Sequence, residues 1–227
     1  MIKIVHISGY TLGESKHAAL DHKGNPTRQG HFGDWNEVCW GNTKTLQLGR
    51  IPMALSLARA VKADKIIWST GATSRAADGK SEAAVMLERA YEGYVQLIQD
   101  FRHRFSGQTW RHEHTYWNWL RHVSLLDERS KNTSESMNVL RQMLWEIAPR
   151  GSVMVYLVSS ANHTMRVLRD AELAFDIGSL DSRFAQRVTL CAVPAETNYG
   201  ERTVQHTIVD DRGTMYVPKS SGVHESE

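Results

Sequence analysis

An imidazole three residues ahead of a guanidinium, in His163-Thr-Met-Arg166-Val-Leu-Arg169-Asp170, suits proton transfer beside a bound anion. At 3.6 residues per helical turn, His163, Arg166 and Asp170 share one face, with Leu168, Ala171 and Phe175 nearly opposite. The same spacing also describes an ordinary polar helix face. Ser130-Lys-Asn132-Thr133-Ser-Glu135-Ser136 offers a second polar group. Asn132 with Glu135 three residues on reads as a capping box. A functional version turns Asn132 and Thr133 toward a crevice and uses Glu135 as a base or as an acceptor for an ammonium or hydroxyl. Glu82 follows a loop carrying Ser74, Arg75, Asp78 and Lys80, and it opens a helix where the dipole favours any carboxylate.

The chain holds 11 histidines and 7 tryptophans, many of them in two unusual segments. The connection over residues 10–49 is far longer than the usual few residues, and such segments commonly serve as lids or binding loops. It contains His17, Asp21, His22, Arg28, His31, Asp34, Trp35, Glu37, Cys39 and Trp40. His17, Asp21 and His22 have a spacing compatible with metal ligation, but nothing fixes a third ligand, so metal is the weaker reading. Within the second segment, 104–120, lies Trp110-Arg-His112-Glu-His114-Thr-Tyr116-Trp117-Asn-Trp119. On a strand, His112 and His114 would face the same way. Its aromatic residues suit a floor for a flat base, a satellite core or a homodimer contact.

The elements that must position these groups follow from hydrophobic periodicity. Ile2–Ile7 is a β-branched run closing on Ser8-Gly9, and 65–68 (KIIW) closes on Ser69-Thr70-Gly71; both read as buried strands. Val123–Leu126 is a shorter strand, 153–158 (VMVYLV) leads into Ser159-Ser160, and Val188–Val193 is a fifth strand. Helices are expected from about Ile51, over about 81–101, along the stripe Met137, Leu140, Leu144 and Ile147, and over 163–175. Residues 207–209 and 215–217 flank Asp-Asp-Arg-Gly and suggest a terminal hairpin, and a polar tail occupies 218–227. This alternation implies one α/β domain over 1–217, an open, mostly parallel sheet with helices on both faces. Ligands of such sheets sit beyond the carboxyl ends of the strands, where Ser8-Gly9, Ser69-Thr70-Gly71 and Ser159-Ser160 fall.

Composition narrows the function classes. Charge is balanced, with 27 basic against 25 acidic residues, which argues against nucleic acid and anionic membranes as main partners. The opening MIKIVHISGY lacks the apolar stretch of a secretory signal, so a cytoplasmic protein is expected. Two cysteines cannot build a disulfide framework. No G-x-G-x-x-G fingerprint follows the first strand, which disfavours dinucleotide redox chemistry.

Four segments, in order, resemble the DUF218 or YdcF-like family, to which the SanA and ElyC envelope proteins are related. They are Ile4–Gly9; 50–71 with Ser69-Thr-Gly71 and then Glu82; Ser130-x-Asn132-Thr133-x-Glu135; and Val158-Ser-Ser-x-x-His163-x-x-Arg166. The last two match the family patterns S-x-N-T-x-E and T-S-x-x-H-x-x-R-A. This chain departs from the family at Thr70, where glycine is usual, at Ser136, where asparagine is usual, and at Val167, where a small residue is common. The segments 10–49 and 104–120 have no clear family counterpart.

The resemblance implies a Rossmann-like domain gathering Gly9, Arg50, Gly71, Glu82, Ser130, Asn132, Thr133, Glu135, Ser159, His163 and Arg166 at one crevice. Hydrolysis or group transfer on a small anionic, nucleotide-like or phosphorylated metabolite is then expected. His163 would be the acid or base, Glu82 or Glu135 its orienting partner, and Arg50 and Arg166 the anion clamp. One family member is associated with S-adenosylmethionine, which joins the candidate ligands. A metal-dependent hydrolase built on the 10–49 histidines, and a non-catalytic partner-binding module, are the alternatives.

Overall fold

A computed structural model describes residues 1–9, 20–21, 35–70, 74–75, 79–105, 112–178, 185–197, 208–209 and 215–216. Five strands form the central sheet: β1 (Ile2–Ile7), β2 (Lys65–Ser69), β3 (Ser124–Asp127), β4 (Val153–Ser160) and β5 (Val188–Ala195). Their order is β3-β2-β1-β4-β5, and every pairing is parallel. The fold is therefore a Rossmann-like open sheet, with strand order reversing between β1 and β4.

Alternation of side chains sorts the apolar residues to two faces. Val5, Ile7, Ile66, Trp68 and Val158 share a core with α1 (Arg50–Val61) and α2 (Glu82–Glu92). Ile4, Ile67, Val155 and Leu157 share the other with the later helices α5 (Thr133–Ile147) and α6 (Ala161–Ala174). Both faces are covered, as the uninterrupted apolar strands require.

Three expectations are corrected. The helix expected over 81–101 breaks at Gly93 into α2 and α3 (Tyr94–Asp100). The cause is packing: a Cβ at Gly93 would lie 2.7 Å from Cζ2 of Trp40, so only glycine lets the indole close over the chain. His112 and His114 do not sit on a strand, because Glu113–Val123 forms α4, which buries Tyr116, Leu120 and Val123 in the core. A helical stripe at 116, 120 and 123 overrides the alternation of the two histidines, whose rings stack with centroids 5.5 Å apart. Val123 accordingly ends a helix, and β3 starts one residue later, at Ser124.

Most of the segment 10–49 lies outside the described residues. Its final part carries Trp35, Val38, Cys39, Trp40 and Leu48 into the α1–α2 core. Leu48 there accepts backbone hydrogen bonds from Glu196 and Thr197 beyond β5. Ile208–Val209 pairs antiparallel with Met215–Tyr216, the hairpin expected near the C-terminus.

Candidate functional site

The carboxyl ends of β1 and β4 lie side by side at the strand-order reversal, where open α/β sheets form their ligand crevice. Arg50, the first residue of α1, reaches into this junction fully buried. Its Nη1 donates to the Ser8 carbonyl at 2.9 Å and to the Gly9 carbonyl. Its Nε and Nη2 both donate to Ser160 Oγ, at 3.0 and 2.9 Å. The guanidinium thus ties β1 to β4 and leaves its charge at the crevice.

On the α1–α2 side, Thr70 and Glu82 are buried together, Thr70 Oγ1 donating to Glu82 Oε2 at 2.7 Å. Gly9 packs directly on this pair. A Cβ there would fall 2.5 Å from the Thr70 amide nitrogen and overlap the Glu82 carboxylate. Glycine at this position is required by close approach. Gly71 lies outside the described residues.

On the opposite side, the first turns of α5 and α6 meet. His163 Nε2 lies 3.3 Å from Thr133 Oγ1. Burial is the chief reason the His163 pKa falls to about 4; the positive charges of Arg50 and Arg166 push the same way, against Asp170. The imidazole is therefore neutral at pH 7, with one ring nitrogen free to accept a proton. Arg166 is 57% exposed, and its Nε stands 3.9 Å from the buried Asp170 carboxylate. Arg169 binds the other oxygen of that carboxylate at 2.7 Å.

Asn132 and Glu135 form a reciprocal cap on α5. Asn132 Oδ1 accepts from the Glu135 amide at 2.9 Å, while Glu135 accepts from the Lys131 amide at 3.0 Å and from Asn132 Nδ2 at 3.1 Å. Both side chains are exposed, and Thr133 is the residue of this motif that meets His163. Ser130 is buried and turned inward, donating to Asp127 Oδ2 at 2.6 Å.

Three buried residues, His6, Asp127 and Ser136, were not signalled as site candidates by the sequence, and they join Ser69, which was placed at a strand end on the crevice. Asp127, at the end of β3, accepts from Ser69 Oγ, Ser130 Oγ and the amides of Arg129 and Ser130. Ser69 Oγ lies 2.6 Å from Ser136 Oγ, which lies 3.2 Å from His6 Nε2. Each hydroxyl has a single proton. Ser69 spends its own on Asp127, so Ser136 donates to Ser69, and His6 Nε2–H donates to Ser136. His6 is thus the neutral Nε2–H tautomer, and burial lowers its pKa to about 4 despite Asp127. The spacing Asp127-x-x-Ser130 is an Asx-turn signal. His6 was visible as the polar interruption of an apolar run, on the same face as Ile4.

Among the described residues, no group of three or more His, Cys, Asp or Glu side chains could hold a metal ion. His17, His22 and the Asp21 side chain lie outside them. No helix among them is long and apolar enough to cross a membrane. The chain matches no protein-family model, and comparison with curated proteins and with solved structures likewise returned no match.

Proposed function

We propose that the crevice between β1 and β4 binds a small anionic, nucleotide-like or phosphorylated metabolite and promotes its hydrolysis or a group transfer. The observation that carries this reading is the setting of His163: a neutral imidazole in the first turn of α6, facing the first turn of α5, under the positive charge of two arginines. Helix N-termini and guanidinium groups favour an anion. A neutral imidazole beside that anion accepts a proton from an attacking water or hydroxyl and returns it to the leaving group. Thr133 orients the ring, Arg166 supplies an exposed cation at the rim, and Arg50 supplies fixed positive charge while holding the strand ends.

The resemblance to the DUF218 or YdcF-like family supports the same crevice, since Ser130, Thr133, Ser159, His163 and Arg166 come from its two most specific motifs. S-adenosylmethionine belongs among the ligands to be tested. Its carboxylate suits the guanidinium groups, whereas its sulfonium cation does not.

A thermal-shift screen with nucleotides, sugar phosphates and S-adenosylmethionine identifies the ligand class, since a ligand of the native state raises its melting temperature. NMR titration of His163 then tests the site. A bound anion raises the imidazole pKa from about 4, because an opposite charge favours the protonated form. With the substrate found, His163→Ala abolishes turnover and leaves the fold intact, while Arg166→Ala weakens binding tenfold or more. Full activity in both variants would overturn the assignment.

A further inference from the structure

Two hydroxyls at the strand reversal have no hydrogen-bonding partner among the described residues, although both are buried. They are Ser8 Oγ, on a residue 6% exposed, and Ser159 Oγ, on a residue with no exposed surface. A buried polar group without a partner carries a desolvation cost, and such groups call for a physical explanation.

Their placement supplies one. Ile7 is in register with Val158, and the Ser8 amide continues the ladder to the Val158 carbonyl at 3.0 Å. Ser8 therefore stands beside Ser159 on the neighbouring strand, with backbones roughly 5 Å apart. By alternation Ser8 shares the face of Ile4 and His6, and Ser159 shares that of Leu157, the face covered by α5 and α6. Ser159 immediately precedes Ser160, the N-cap of α6. That cap makes no side-chain hydrogen bond to the helix, and its Oγ accepts two N–H groups of Arg50 instead. The first-turn amides of this 14-residue helix receive no side-chain cap from Ser160, and they follow directly on two buried hydroxyls without partners among the described residues.

We propose that Ser8 Oγ, Ser159 Oγ and the first-turn amides of α6 form a phosphoryl-binding subsite, rotating both hydroxyls to donate to separate oxygens of one tetrahedral anion. This deepens the proposed function and rests on it. It names the phosphoryl group as the recognised part of the ligand and sets it next to His163, two residues into the same helix turn. Hydroxyl and amide donors with a helix dipole suit such an anion. A sulfonium ligand gains nothing from them.

The test uses the full chain with Ser8→Ala, Ser159→Ala and the double variant. Each substitution removes a buried hydroxyl that has no hydrogen-bonding partner among the described residues, so the urea midpoint is expected to stay level or rise. Calorimetry then compares inorganic phosphate, adenosine monophosphate, adenosine and S-adenosylmethionine. The two phosphate-bearing ligands are expected to bind wild type, each single substitution to weaken them tenfold or more, and adenosine to bind neither form measurably. Binding of inorganic phosphate alone assigns the subsite to the free anion; tighter adenosine monophosphate assigns it to a nucleotide. Three results overturn the subsite while leaving the proposed crevice standing. These are phosphate-ligand affinities within twofold of wild type in the double variant, S-adenosylmethionine binding without phosphate binding, and a lowered urea midpoint in the variants. Failure of every anion to bind wild type or to shift the His163 resonance overturns the proposed function itself, and the subsite with it.

Discussion

His163 and Arg50 show how burial redirects residues whose types suggest one role. The histidine is kept neutral by burial and by neighbouring positive charge, so that only an anion bound beside it would restore its affinity for a proton, whereas an exposed one would be part charged near pH 6.5. Arg50, paired with Arg166 as an anion clamp on the resemblance, has its Nε, Nη1 and Nη2 engaged by Ser8, Gly9 and Ser160. Its immediate work is to join two strands, and its contribution to a ligand is charge at a distance. Arg50→Ala would strand two carbonyls and open a large void, with an expected loss of about 3–5 kcal/mol of stability. Arg50→Lys would lose nearly as much, because one ammonium cannot span the fork. Urea denaturation checks both; a loss under 1 kcal/mol in Arg50→Ala would show that the guanidinium is dispensable for holding β1 to β4.

At the scale of elements, termini and interruptions position the site more than helix interiors do. The reciprocal Asn132–Glu135 cap fixes where α5 begins, and that start places Thr133 against His163. Asp127 gathers four donors, two of them backbone amides, and so freezes the turn leading into the cap. The break between α2 and α3 follows the same logic, set by an indole that needs the space over Gly93. Gly93→Ala raises helix propensity by about 1 kcal/mol, yet it forces Trp40 aside and overpacks the core. A net destabilisation of about 1–3 kcal/mol is expected, with a change in tryptophan fluorescence. A stabilised variant with unchanged fluorescence would contradict this packing account.

For the molecule as a whole, two buried neutral histidines make stability depend on pH. His6 and His163 both titrate near 4 in the folded protein against about 6.5 when unfolded. Between those values the unfolded chain binds more protons, so stability falls as pH drops from 6.5 toward 4. For the fully buried His6 the expected loss is about 2 kcal/mol between pH 7 and pH 5. His6→Gln keeps an amide donor for Ser136 without titrating, so its urea midpoints over that range should fall less steeply than those of wild type. An equal slope would remove His6 from the account. The amino-acid sequence by itself determined the five strands, their parallel character, most of the helices between them and the rim on which the polar residues fall. Those features are periodicities of 2 and 3.6 residues, set by near neighbours along the chain. It also showed the Asn132–Glu135 cap, a contact across three residues. Only the tertiary structure decided that Gly9 must admit Thr70 and Glu82, that Arg50 joins β1 to β4, that His6 reaches Asp127 through two serines, and that Ser8 and Ser159 stand side by side without partners among the described residues. Each of these depends on groups tens of residues apart meeting where strands converge, and local spacing carries no record of such distances.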